Sequence, residues 1–371
     1  MAPKLARSFA SNLPPLLAPL LPLLLLAALC SACGGGGGSS GTTGPGAPMP
    51  ATSVTTLTLV AGSATASGNL DADGAAARFG QPAGIALDSA GNLFVADRGN
   101  CSIRRISAAG VVSTIAGSPL RCRSVDGAAG VAGFATLNAI AASPDGRLYA
   151  ADGLAVREID PAGTVRTIAT LDTATVASAV DVPFFYASGI AVDGLANVVV
   201  ANAIGIRKIA PSGTVTMIEG VPRLDNIASV LGSHNFQQRG LAAAKDGTVY
   251  VGDFASTVSR IDPAGTRTAL AGLSGGTGFA DGLAGAARFD RVIALTLDAS
   301  GNLYVADAGN NLIRKITPER VVSTAAGTVG ATVLQLGNGP GALPALGGLT
   351  GDGKGTLYAI SGNAIVKISL P

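Results

Sequence analysis

The sequence predicts an all-β protein, a six-bladed β-propeller of four-stranded blades closed by an N-terminal strand in the last blade. Three observations carry this expectation. The first is a sixfold repeat: GIALDSAGNLFVAD from Gly84 returns as AIAASPDGRLYAAD from Ala139 and GIAVDGLANVVVAN from Gly189. It recurs as GLAAAKDGTVYVGD from Gly240, ALTLDASGNLYVAD from Ala294 and GLTGDGKGTLYAIS from Gly348. A strand-rich unit repeated every 50–55 residues is one supersecondary element stacked many times. The second observation is composition. Glycine supplies 52 of 371 residues, about twice the usual share, tryptophan is absent and no segment sustains a helical period. The third is that the two ends of the repeat region are complementary.

Before the first blade come two segments with no part in a core. Residues 1–32 join a basic start, Lys4 and Arg7, to an apolar run from Leu16 to Leu29 broken by Pro19 and Pro22. That run is too short and too interrupted to span a bilayer. Ser31-Ala32-Cys33-Gly34 then resembles the cleavage site of a bacterial lipoprotein signal, which implies a lipid on Cys33. Cys30 stands where such signals usually carry leucine, and an ordinary secretory signal cut near Ala32 is the alternative. Residues 33–54 are a Gly/Ser/Thr/Pro tether, with a random-coil span of about 25 Å. The propeller is assigned to residues 55–371. Without residues 1–32 the chain carries 23 basic and 23 acidic side chains, and no basic stripe suits nucleic acid.

Each repeat divides into strands A to D. In the first, Ile85–Asp88 is A, Leu93–Asp97 is B, Ser102–Ile106 is C and Val111–Ala116 is D. The turn after A relies on Asp88 accepting from downstream amides and on Gly91 in a left-handed conformation. The sixth repeat has A, B and C but no D. The missing strand matches Thr56–Gly62, whose TLTLVAG parallels VSTIAG at Val112–Gly117. Placing it in the last blade closes the ring and leaves no blade short of its outer strand.

Two stretches, ARFGQPAGIALDSAGNLFVADRGNCSIRRISAAGVVSTIAG and AARFDRVIALTLDASGNLYVADAGNNLIRKITPERVVSTAAG, resemble NHL repeats. The likeness is close in repeats one and five and weaker in the other four. It implies a propeller fold. Propellers of this type include binding modules, and related six-bladed ones include lyases and lactonases, so the likeness leaves the activity open.

Four sets of residues are candidates for more than packing. An Asp/Arg pair spans the B–C hairpin as Asp97/Arg104, Asp152/Arg157, Asn202/Arg207 and Asp307/Arg314. It weakens to Asp253/Ser259 in repeat four and vanishes in repeat six, and cross-strand pairing accounts for it. An aromatic residue lies five positions before most A strands: Phe79, Phe134, Phe184 and Phe289 align, with Phe236 one place off and Leu343 in the last blade. These line the mouth of the propeller or pack between blades. Asp73-Gly74, Asp126-Gly127 and Asp281-Gly282 lie in the long D–A connections, without the dense run of ligands a calcium loop needs. Ser233 to Arg239 is the most polar segment and holds the only histidine. His234, Asn235, Gln238 and Arg239 are its candidate ligand contacts, and Phe79, Phe134 and Phe289 are the candidate apolar walls.

No multi-histidine zinc set and no nucleophile elbow is present in the sequence. The three glutamates, Glu158, Glu219 and Glu319, lie in or beside C and D strands. The lactonase and lyase relatives rely on channel Glu/Asn/Asp sets and on histidines respectively. Neither set is recognisable, so no catalytic, metal or cofactor residues are assigned. Cys101, in a B–C turn, and Cys122, in the next D–A connection, form an even pair in an exported chain and are expected to be disulfide-bonded. The expected function is a lipid-anchored cell-envelope propeller, periplasmic or cell-surface. It binds a protein or small molecule on the loop face, with the membrane as partner through its lipid. The alternative is a metal-dependent propeller hydrolase or lyase with an Asp/Asn-lined channel.

Overall fold

Alternating apolar residues and glycine punctuation give strands of four to seven residues, and these build six antiparallel sheets. The computed structural model describes residues 54–170, 187–202, 205–220, 238–253 and 256–371. Blade one comprises Pro82–Leu87, Leu93–Asp97, Ser102–Ile106 and Val112–Gly117, in that order from the axis outward. Blades two to five repeat the order, with inner strands Leu137–Ala142, Gly189–Val192, Gln238–Ala243 and Val292–Leu297. The A strand of blade one begins earlier than its sequence pattern shows, because Pro82 pairs with Asp97 across a bulge.

Blade six takes Leu346–Gly351, Thr356–Ser361 and Ala364–Ser369 from the C-terminal end and Thr56–Gly62 from the N-terminal end. The register runs Leu57 to Ile368 and Leu59 to Val366, with a bulge before Ala61. The same bulge recurs between C and D in blade one, at Ile103/Arg104. The N-terminal strand therefore occupies the outer position as an equivalent of the other D strands.

The core sits between blades. One cluster joins Phe94 and Ile103 of blade one to Phe134, Ile140 and Leu148 of blade two. Another joins Ile360 and Ile365 of blade six to Ile85 and Val95 of blade one. Each of the six neighbouring pairs has such a cluster, so the ring is closed by packing as well as by hydrogen bonds. The B strands lie between two neighbours, and all five residues of Leu93–Asp97 are buried. Near the axis the inner strands approach so closely that a Cβ on Gly84 would lie 2.9 Å from the Cα of Ala139. Only glycine fits there.

The D–A connections do more than bridge blades on one face. Each one described descends along the outer edge of the next blade and pairs with its D strand. Gly282–Leu283 pairs with Val321 and Val322, and Gly337–Asn338 with Thr56 and Leu57. Single bridges join Asp73 to Val111 and Gly127 to Val165. These straps cover strand edges that would otherwise invite pairing with another chain.

Candidate functional site

The Asp/Arg pairs are buried ion pairs at the centre of a larger network. Asp97 lies opposite Ser102 in register, and Arg104 reaches it diagonally at 2.9 Å with neither side chain exposed. Asp152 and Arg157 meet at 2.8 Å, and Asp307 and Arg314 at 3.0 Å, with the same burial. Each guanidinium stacks on the strap aromatic, 5.2 Å from Phe79, 5.5 Å from Phe134 and 5.1 Å from Phe289. A desolvated contact of this kind contributes about 2 kcal/mol. A second carboxylate comes from the strap: Asp71 binds Arg104, Asp126 binds Arg157 at 2.7 Å and Asp281 binds Arg314 at 2.5 Å. The same carboxylates accept from the D-strand amides of Thr114, Thr167 and Thr324. One arginine thus ties together strands B, C and D and the strap.

Burial pushes the Asp97 and Asp307 carboxyls above the ordinary range. Hydrogen bonds from Asn100 and Asn310, and from the amides of Gly80 and Asp290, oppose that rise, as do Arg104 and Arg314. Asp126 is only lightly buried. There the desolvation that raises its pKa is outweighed by the Thr167 amide and hydroxyl and by Arg157, and its carboxyl falls below the usual value.

These contacts place the residues that the sequence singled out. Phe79, Phe134 and Phe289 are fully buried, packed under arginines between neighbouring blades, so they form no apolar wall at the mouth. Asp126 and Asp281 are engaged by arginine and threonine, which accounts for their recurrence without a cation. In blade one the equivalent residue is Asp71, not Asp73. The carboxylate stands eight residues before the aromatic in all three straps, and that offset was the legible signal. Asn100 and Asn310, three residues after the buried aspartates, complete the network. Each donates to its aspartate and to a strap carbonyl. In blade four, with serine at position 259, Asp253 binds the amide and hydroxyl of Thr257 and lies 3.6 Å from the guanidinium of Arg267 on the D strand.

Cys101 and Cys122 are joined by a disulfide, which fixes the start of the second strap to the B–C turn of blade one. Gln238 and Arg239 open the inner strand of blade four, with Gln238 paired to Asp253. His234 and Asn235 lie outside the described residues, as do Cys33 and residues 33–53, Phe184 and Phe236.

The axial channel is narrow. It encloses about 60 Å³ between all six inner strands, walled by residues such as Gly84, Ile85, Ile140, Leu295 and Leu349. Its polar residues are Asn138 and Ser188, and Asn138 is turned onto the Ala187 carbonyl and Arg98. Among the described residues no carboxylate lines it. Glu158 is paired with Arg166 and Glu219 with Arg267, both on outer strands. Among the described residues no group of three or more His, Cys, Asp or Glu side chains is placed to hold a metal.

A second cavity is larger. It lies over blade six, between the two straps that flank its outer strand, and measures about 500 Å³. Leu59, Ser63–Thr65, Thr332–Leu334 and Pro344 contribute to its walls, with Arg78 at one side.

The opposite face of the disc is built differently. Its A–B and C–D turns are short and closed by their own aspartates or hydroxyls: Asp88 accepts from the amides of Ala90 and Asn92, Asp298 from those of Ser300 and Asn302, and Ser107 from that of Val111. Asp160 and Asp262 do the same in C–D turns.

A family model described as the NHL repeat matches residues 79–106, the segment that carries Phe79, Asp97, Asn100 and Arg104. The chain is a six-bladed β-propeller, and one segment of its first blade matches the NHL repeat. Among solved structures, the propeller is similar to a protein of unknown function from Bacteroides thetaiotaomicron. The two share 21% identity and a TM-score of 0.67, covering 85% of this chain and 76% of the other. It is also similar to an auxiliary nutrient binding protein from the same organism, at 13% identity and a TM-score of 0.62, with the same coverage. A gluconolactonase from Xanthomonas campestris aligns at 13% identity and a TM-score of 0.52, over 85% of this chain and 89% of that one. At such identities these likenesses concern the fold. No curated protein matches the sequence.

Proposed function

We propose that this propeller is a lipid-anchored protein of the bacterial cell envelope that binds a ligand through the face bearing its B–C turns and strap entrances. The observation that carries the reading is the asymmetry of the two faces. The A–B and C–D turns spend their polar groups on themselves, whereas the opposite side carries long connections of differing sequence and the larger cavity. The auxiliary nutrient binding proteins of similar fold support a binding role. The anchor rests on the signal-like residues 1–32 and on Cys33. His234, Asn235, Gln238 and Arg239 remain the proposed contacts for the ligand, because they interrupt the repeat pattern at its most polar point.

Metabolic labelling with a fatty acid tests the anchor: Cys33→Ala is expected to abolish the label and release the protein from membranes. A thermal-shift screen against sugars, oligosaccharides, amino acids and short peptides tests the face. A stabilising compound should lose its effect in the His234→Ala and Arg239→Ala variants and keep it when Asp160 is replaced. The reverse pattern would overturn the assignment.

A further inference from the structure

In blades one, two and five the corner between strap, B–C turn and D strand is filled by a guanidinium and its carboxylates. Blade six lacks all of them. The pair Leu59/Val366 stands at the register position of Thr114/Arg104 and Thr324/Arg314. Ser361 stands at the position of Asp97, at the end of strand B. Gln335 precedes Leu343 by the eight residues that separate Asp71 from Phe79. With the arginine reduced to valine and the strap carboxylate gone, apolar packing fills the corner, where Ser361, Leu343 and Val366 are fully buried, and the 500 Å³ cavity lies beside it between the two straps, bordered by Leu59. That volume is within the range of small-molecule sites.

The lining is mostly apolar or hydroxylic, and among the described residues Arg78 is the charged one. Arg78 spends Nη1 on the carbonyls of Ala75, Ala76 and Ala77, at 2.7, 3.1 and 2.7 Å. Those bonds hold the strap and fix the guanidinium in place. They leave its Nε and Nη2 donors, and among the described residues no carboxylate pairs with it. An aliphatic wall beside one immobilised, carboxylate-free arginine is complementary to an apolar body that ends in a single anionic group. Guanidinium recognises carboxylate through two parallel hydrogen bonds.

We propose that the blade-six cavity binds a small amphiphile bearing one carboxylate, with the carboxylate on Arg78 and the apolar body along Leu59, Val333 and Leu334. The residues that argue for this site do not include His234, and the proposal does not depend on the ligand contacts proposed above.

The test uses the mature chain from residue 33 with Cys33→Ala, so that neither an attached lipid nor detergent competes. Dodecanoate below its micellar concentration is titrated by calorimetry and compared with dodecanol and dodecyltrimethylammonium. Saturable 1:1 binding of dodecanoate is expected, at least tenfold tighter than either comparison compound. Arg78→Gln should bring dodecanoate down to the level of dodecanol. Val333 is 67% exposed, so Val333→Asp should keep the parent melting temperature. It should weaken dodecanoate at least tenfold by setting a carboxylate beside the apolar wall. His234→Ala should leave the affinity unchanged. Absence of saturable binding, equal affinity for dodecanol, or parent-like binding by Val333→Asp would overturn the proposal.

Discussion

Blades five and six have the same strands in the same order, yet their outer corners are held by opposite chemistry. Blade five uses Asp307, Arg314, Phe289 and Asp281, with the arginine wholly buried. Blade six uses Ser361, Val366, Leu343 and Gln335, and its strap is held by backbone pairing to Thr56 and Leu57. The network is therefore no requirement of the fold. It fills with charge a corner that blade six fills with apolar side chains, and it makes the strap depend on charges that must all be present together. Removing one partner from such a buried set strands the others. Removing the whole set does not.

The largest effect should come from the strand that both arrangements need. Deleting Thr55–Gly62 removes the outer strand of blade six and the seat of its strap, and exposes the edge of Ala364–Ser369. The deletion is expected to abolish cooperative unfolding or to give aggregates, whereas deleting residues 38–50 should leave the melting temperature unchanged. Similar melting curves for the two would show that the ring holds without its N-terminal strand.

Next in size is the charge network. Asp307→Ala leaves Arg314 buried with half its partners and should cost about 3–5 kcal/mol in urea unfolding. Converting the blade-five corner to the blade-six set, with Asp281→Gln, Phe289→Leu, Asp307→Ser, Arg314→Val and Thr324→Leu together, should cost less than Asp307→Ala alone. If the five changes cost more than the single one, the comparison between the blades fails, and the network is more than corner filling.

These contrasts also mark how far the sequence is legible. Blade number, strand order and closure follow from the period and from the match between Thr56–Gly62 and Val112–Gly117. Both are local patterns set by backbone pairing. The Asp71–Arg104–Phe79 corner is harder to see, because its residues come from three segments up to 33 positions apart. Only the recurring eight-residue offset betrays it. The course of the straps is illegible for a related reason. A long connection without strand alternation gives no sign that it pairs with an edge, since its bonds at Asp73 and Gly127 are single bridges. The blade-six cavity is a position where a pattern stops, and it becomes visible only once the other corners are known.

A smaller difference concerns how the B–C turns hold the following strap. Cys101 and Asn311 occupy the same left-handed position after their turns, at φ 50 and 59. Cys101 reaches Cys122 through a covalent bond, and Asn311 reaches the Ala331 carbonyl through a 3.0 Å hydrogen bond. The double change Cys101→Ser and Cys122→Ser should cost about 3 kcal/mol by the loop-entropy relation. Asn311→Ser should cost about 1 kcal/mol, the typical contribution of one hydrogen bond. Non-reducing mass spectrometry showing two free thiols in the parent would remove the basis for this comparison.

The smallest effect, and the one that separates the two faces, is in the pH dependence. In blade five Asp298 closes an A–B turn and Asp307 sits in the buried network. Burial tends to raise Asp298, but hydrogen bonds from the Asn302 side chain and amide, the Ser300 amide and Tyr304 outweigh it, so its carboxyl lies below the usual range. Asp307 lies above that range because burial dominates. An unfolded aspartate titrates near 3.9. A depressed folded value gives stability that is complete above the unfolded pKa and is lost as pH falls through the folded one. A raised folded value works in the opposite sense, because ionisation disfavours the folded state as pH climbs from the unfolded to the folded pKa. Relative to Asp298→Asn, the parent should therefore gain stability as pH rises in the window just below 4. Relative to Asp307→Asn, it should lose stability as pH rises in the window just above 4. Urea unfolding of the three proteins between pH 3 and pH 6 reads both slopes. Slopes of the same sign would mean that the buried carboxylate is held ionised by Arg314 and Asn310 more strongly than burial opposes it.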